Sequence, residues 1–286
     1  MSSPSSPVSM IERMTLVLDA FDGASARLTL QDIVERSGLP RSTVHRILDS
    51  LVRLRWLDHR GGDYGLGMRA LELGGLAVAH NSLREATAPL LHDLHVRTGV
   101  TVHLHVLDRL DVVCLDKLSG RSGIALPTRV GGRTPAHATA SGKAILAWTD
   151  PRQVDAIFRG KLVSRTPRTL PTMEALEQEL AKVRARGGLA YDREESSPGV
   201  ACVAAPLRGS ARAVAAVSLS GDASRMDLNR LSPFVAETAR QASAALFPQD
   251  VASRRRKARQ DVPQPASWPP GALDRLVEGI GGDYWL

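Results

Sequence analysis

The 286 residues contain only two cysteines, Cys114 and Cys202. They stand far apart and outside any paired spacing, so neither a disulfide framework nor a zinc knuckle can be built from them. Long apolar runs are also missing: no stretch approaches the roughly eighteen uninterrupted apolar residues of a membrane span. The opening MSSPSSPV has neither the basic start nor the apolar centre of a secretion signal, and a cytoplasmic location without membrane partners is expected. No repeat of fixed period is visible, which argues against a solenoid. Charge is scarce where the net +7 would suggest it. Residues 1–75 carry nine arginines against nine acidic residues, so overall basicity says nothing about nucleic-acid binding there.

What is present divides the chain. Its length suits one small and one medium domain better than a single core. Ile11, Met14, Leu18 and Phe21 recur at helical spacing and predict a first helix ending near Gly23. Thr29, with Asp32 three positions on, has the form of a capping box for a second short helix that Gly38 ends. Pro40 suits the first turn of a third helix, and Val44, Ile47, Leu48 and Leu51 supply its buried stripe. The four-residue turn between them, 37–40, has the length and composition of a helix-turn-helix. Opposite the stripe lie Arg41, Ser42, Thr43, His45, Arg46 and Asp49, all hydrogen-bonding types able to face base edges and phosphates. Five arginines against two acids between positions 40 and 60 give this region a local surplus of positive charge. Two short strands about Arg60-Gly61-Gly62-Asp63 read as a wing, with Arg60 at its tip.

Residues 68–80 read as a linker helix, apolar enough to bury one side against a partner subunit. From 82 to 247 the pattern is α+β. Helices are expected over 83–98, 141–148, 173–186 and 227–246, and strands over 100–107, 112–118, 200–207 and 213–219. This order suggests an antiparallel sheet with helices packed on it. Beyond Pro248 come Arg254, Arg255, Arg256, Lys257 and Arg259, four prolines and a short helical stretch at 272–280. That composition predicts a mostly disordered basic extension, either solvated or adding nonspecific DNA affinity.

Two segments carry a family resemblance. LQDIVERSGLPRSTVHRILDSL, 30–51, with the wing ending Tyr64-Gly65-Leu66-Gly67, is one. The other is GLAYDREESSPGVACVAAP, 188–206, together with HATASGKA, 137–144. Over positions 9–247 the chain resembles the IclR family of bacterial regulators. The Ser/Pro-rich start, 1–8, is expected to be a disordered leader outside the resemblance. The resemblance implies a winged helix-turn-helix over 9–67 and a linker helix over 68–81. It implies a GAF-like effector-binding and oligomerisation domain over 82–248, with 249–286 left as an extension. It further implies a homodimer or tetramer that binds double-stranded operator DNA and answers to a small organic or aromatic acid, more as repressor than activator. Carried over by position, the effector contacts are the Ala140-Ser141 backbone, Asp192, Cys202, Ser218 and Ser220. Their chemistry is compatible with that role: amides at a helix start favour an anion, and Ser218 and Ser220 share one strand face.

Competing readings are weaker. Cys202 with His137 as base would make an enzyme, but a cysteine inside Val200-Ala-Cys-Val-Ala is ordinarily a small apolar strand residue, and no catalytic residue is assigned. His103 and His105 share a strand face, yet two ligands specify no metal site, and a partly buried or solvated pair is expected. Ser141-Gly142-Lys143 lacks the glycine and the hydroxyl residue of a phosphate loop at its two ends. No cofactor is implied. The three N-terminal helices without DNA would leave a protein-interaction adaptor.

Overall fold

The structure, a computed structural model, describes residues 9–23, 27–120, 126–159, 162–210 and 212–249. The expected leader, 1–8, and the extension beyond Gln249 lie outside the described residues. Two compact units are present, Met1–Glu85 and Ala86–Leu286.

In the first unit, α1 (Met10–Asp19), α2 (Leu30–Ser37) and α3 (Arg41–Arg53) enclose a core with β1 (Leu28–Thr29), β2 (Leu57–Arg60) and β3 (Asp63–Leu66) at its edge. Local chemistry sets these boundaries. The Thr29 hydroxyl accepts from the Asp32 amide, while the Asp32 carboxylate accepts from the Thr29 amide at 2.8 Å. Gly38 closes α2 at φ +66°, a left-handed conformation that costs glycine nothing. Val44, Ile47, Leu48 and Leu51 of α3 are buried with Val17, Ile33, Leu57 and Tyr64. The strands form a three-stranded antiparallel sheet in the order β1-β3-β2, so the wing is secured by a two-residue strand from before α2. α1 stops at Asp19, four residues short of the glycine expected to end it. α4 (Met68–Ala79) follows with no buried residue, and Met68, Leu71, Leu73 and Leu76 are exposed.

The second unit begins within α5 (Ser82–Thr98) and continues with β4 (Thr101–Asp108), β5 (Asp111–Leu118) and β6 (Arg133–Pro135). Then come α6 (Ala140–Leu146), α7 (Pro151–Phe158), α8 (Met173–Ala185), β7 (Ala190–Arg193), β8 (Val200–Arg208), β9 (Ala213–Asp222) and α9 (Leu228–Leu246). Six strands pair antiparallel throughout in the order β6-β5-β4-β9-β8-β7, which makes the chain an α+β protein. Alternation assigns the two faces. Ala190, Ala204 and Ala216 face a core shared with Ala144, Ile145, Leu176, Leu180 and Val183 of α6 and α8. Tyr191 points the other way, where its hydroxyl donates to Ser232 of α9 at 3.0 Å. α9 therefore covers the opposite face. Strands β6 and β7 and helix α7 were not anticipated, and α6 begins one residue early.

Close approach explains one glycine. A Cβ on Gly142 would fall inside contact distance of the Ala136 carbonyl, so α6 can lie against the 3-10 turn Ala136–Ala138 only without a side chain there. Among the described residues no helix is long and apolar enough to cross a membrane.

Candidate functional site

Two arrangements carry functional chemistry, one in each unit. In the first, the α3 face opposite the core is open: Arg41, Ser42, His45, Arg46 and Asp49 are exposed, and Thr43 is half-buried. His45 Nδ1 lies 3.1 Å from Asp49, and Arg41 donates to Gln31 at 3.2 Å. Arg60 in the wing is 80% exposed but paired with Asp58, which also holds Arg27. Surface pairs of this kind are worth at most about 1 kcal/mol, so a phosphate can compete for Arg60.

Pairing also settles the missing net charge. Carboxylates engage Arg27, Arg36, Arg55 and Arg60. Of the nine arginines in residues 1–75, Arg13, Arg41, Arg46, Arg53 and Arg69 have no carboxylate partner among the described residues; three of the five lie on α3, and Arg69 of α4 lies over the Trp56 ring. Arg13 of α1 lines one groove with Thr43, Arg46 and Ser50. Arg13 is not among the residues that the sequence pattern singles out for DNA contact.

In the second unit the sheet register gathers residues from four strands. Asp192 is paired with Cys202, Cys202 with Ser220, and Ser220 with Thr101 across β7, β8, β9 and β4. Ala190, Ala204, Ser218 and His103 form the next rung on that face, since directly opposed residues point the same way. Between this face and the first turn of α6 is a cavity of about 190 Å³. Its wall contains Ala140, Ser141, Asp192, Cys202, Ser218 and Ser220, all six residues carried over by resemblance. Their convergence is a fact of geometry.

Other wall residues went unrecognised in the sequence: His105, Thr128, Arg133, Arg165 and Ser196 among them. His103 and His105, expected to be partly buried or solvated, are 1% and 6% exposed. His105 Nδ1 is 3.1 Å from the Ser141 hydroxyl, and burial pushes its pKa down to about 4. His103 sits between Thr128 at 2.7 Å and Ser220 at 3.3 Å, and burial, then neighbouring His105 and Lys117, holds its pKa well below 6.5. Both imidazoles are neutral near pH 7. The signal that could have found them is their spacing of two on a strand, which matches Ser218 and Ser220 on the neighbouring strand.

Asp192 is fully buried and already occupied. Its carboxylate accepts from the Ser196 hydroxyl at 2.6 Å and the Glu195 amide at 2.7 Å, and so holds the turn that places Ser196 in the wall. Burial raises its pKa, opposed by these hydrogen bonds. Beside it Lys143, 1% exposed, donates to both Glu195 oxygens at 2.6 Å. Burial drives the Cys202 thiol far up, with Asp192 adding to the effect, so it stays protonated and a poor nucleophile. His137, the base an enzyme would have needed, bonds through Nε2 to the Val163 carbonyl at 3.0 Å and packs edge-on against Phe158.

Comparison with known proteins agrees with this division. A family model described as the IclR helix-turn-helix domain matches residues 10–61. A second, described as bacterial transcriptional regulator IclR C-terminal, matches residues 75–246. The chain is 37% identical over 243 residues to the HTH-type transcriptional regulator XynR of Escherichia coli, covering 84% of this chain and 96% of that protein. It is 30% identical over 233 residues to the transcriptional repressor IclR of the same organism, covering 79% of this chain and 85% of that one. Among solved structures, an IclR homolog from Microbacterium hydrocarbonoxydans complexed with 4-hydroxybenzoate superposes with a TM-score of 0.72 at 29% identity. That match covers 84% of this chain and all of the other. The chain belongs to the IclR family of bacterial transcriptional regulators.

Proposed function

We propose that this chain is a ligand-responsive, sequence-specific DNA-binding repressor whose effector is a small organic or aromatic acid. Residues 9–67 read the operator, 68–81 link, and 82–248 bind effector and oligomerise. The convergence of Ala140, Ser141, Asp192, Cys202, Ser218 and Ser220 on one cavity carries the reading, because the register that produces it involves four strands from distant parts of the sequence. The Ser218 and Ser220 hydroxyls can donate or accept, and Asp192 acts by holding the Ser196 turn. The 4-hydroxybenzoate bound by the structural relative supports an aromatic acid as the ligand class.

In a major-groove arrangement Arg46 and His45 lie near base edges with Arg41 on the same exposed face, Ser42 and Thr43 lie at phosphates, and Arg60 of the wing reaches the backbone or the minor groove. The exposed leucines of α4 support a homodimer, or a pair of dimers, in which a second copy covers them. An effector switches such an assembly only if it binds one arrangement more tightly than the other. Footprinting on DNA flanking the protein's own gene, with 4-hydroxybenzoate and related acids added, tests the whole scheme. A protected palindrome released or strengthened by an acid supports it. Absence of salt-sensitive DNA binding would leave the adaptor class standing.

A further inference from the structure

Free positive charge is scarce around the cavity, and the scarcity selects one residue. Arg133 in the wall is held by Asp108 at 2.6 Å and Asp111 at 3.2 Å. Lys143, near enough to act on Asp192, is consumed by Glu195. Lys117 donates to the Thr128 carbonyl at 2.6 Å. Arg165 is the other arginine of the wall, and among the described residues it has no carboxylate partner.

Its backbone is anchored although its side chain is exposed. The Arg165 amide donates to the Thr169 hydroxyl at 3.0 Å, and that hydroxyl donates to the Glu195 carbonyl at 2.7 Å. Thr166 donates to the Glu194 carbonyl at 2.7 Å, so this loop is tied to the turn that carries Ser196. The inner wall has the opposite character. Asp192, Ser218, Ser220 and His105 are buried; Asp192 brings the negative charge and the other three are uncharged. A ligand carboxylate placed against them would meet Asp192 and no available cation, with only the first-turn amides of the seven-residue α6 to offset it, which is costly in a dry site. At the exposed end it would meet a guanidinium suited to bidentate binding.

We infer that Arg165 fixes the effector's carboxylate at the mouth of the cavity, while the ligand's uncharged polar end points inward to His105, Ser218 and Ser220. The inference rests on the reading of the cavity as an organic-acid site, and it assigns a specificity residue and a ligand direction that the reading does not contain.

The experiment is calorimetric titration of the full chain with 4-hydroxybenzoate and with its uncharged analogue 4-hydroxybenzamide. Wild-type protein binds the acid more tightly. Arg165→Gln weakens the acid by about tenfold or more, as loss of a charged hydrogen bond does, and leaves the amide within about twofold. Ser218→Ala weakens both compounds together, because both present the same hydroxyl inward. Acid preference that survives in Arg165→Gln would overturn the assignment and turn the ligand around. Wild-type protein that binds neither compound would overturn the aromatic-acid reading itself, and the assignment with it, a result distinct from the first. Circular dichroism spectra and melting temperatures close to those of the wild type report that both variants fold.

Discussion

The Lys143–Glu195 pair offers the sharpest test of how the cavity floor is held. Lys143 is 1% exposed and Glu195 13%, with both carboxylate oxygens 2.6 Å from Nζ. Removing one member of a buried pair costs about 3–5 kcal/mol, because the other charge stays behind without compensation. Glu195 retains slight exposure and can escape by taking up a proton, which puts Lys143→Met near the lower end, about 3 kcal/mol. At about 2–4 °C per kcal/mol for a unit of this size, the melting temperature should fall by roughly 6–12 °C. The pH dependence identifies the cause. Burial already raises the Glu195 pKa, and Lys143 opposes the rise most strongly, ahead of a backbone hydrogen bond from Arg193. Without the lysine, the folded state keeps a proton that the unfolded chain releases in the ordinary carboxylate range, about 4.3. The folded form then binds more protons, so the variant loses stability as pH rises above that range and regains it as pH falls. Scanning calorimetry of both proteins from pH 5 to 8 should show a gap that is widest at the alkaline end. A gap below about 2 °C at pH 7, or one that does not change with pH, would refute the argument.

Arg46→Ala should weaken operator binding by about 1–3 kcal/mol and relax preference at one base pair in a competition assay, whereas a phosphate contact would lower all sequences equally. Arg13→Ala, through the groove shared with Arg46, should reduce the slope of log affinity against log salt by about one, read from binding isotherms at several salt concentrations. Gly142→Ala places a methyl group against the Ala136 carbonyl and should abolish the effector response while leaving the first unit able to bind DNA. Thr29→Ala removes the cap of α2 and should cost about 1 kcal/mol in denaturant unfolding.

Local signals were the legible part of the sequence. The α2 cap, the Gly38 terminus and the apolar stripe of α3 depend on residues within one or two turns of each other, and all three are found where their spacing puts them. Three short strands were not legible: β1, β6 and β7 have too little sequence for alternation to show, whereas the equally short β2 and β3 are marked by the glycine turn between them. Helix α7 did carry a signal, Asp150 as N-cap with Pro151 behind it and Val154 and Phe158 inward, but two turns gave the pattern little to repeat. The cavity residues were legible through resemblance. Their convergence depends on the order β4-β9-β8-β7, and nothing local to β4 says that β9 will lie beside it. For that reason His103 and His105 read only as a partly buried or solvated pair, although their face is the one α6 covers.

Charge shows the same limit in another form. A count over residues 1–75 balances to zero and argues for no electrostatic role, yet the balance is struck by pairs spread over the fold: Asp58 with Arg27 and Arg60, Asp22 with Arg36, Glu72 with Arg55. Of the arginines left over, all but Arg69, which lies over the Trp56 ring, gather on α3 and on the α1 side of its groove. In the cavity, the same subtraction removes Arg133, Lys143 and Lys117 and leaves Arg165. Which cation is free to meet a phosphate or a carboxylate is therefore a property of tertiary pairing, and two chains of identical composition could present opposite fields to the same ligand.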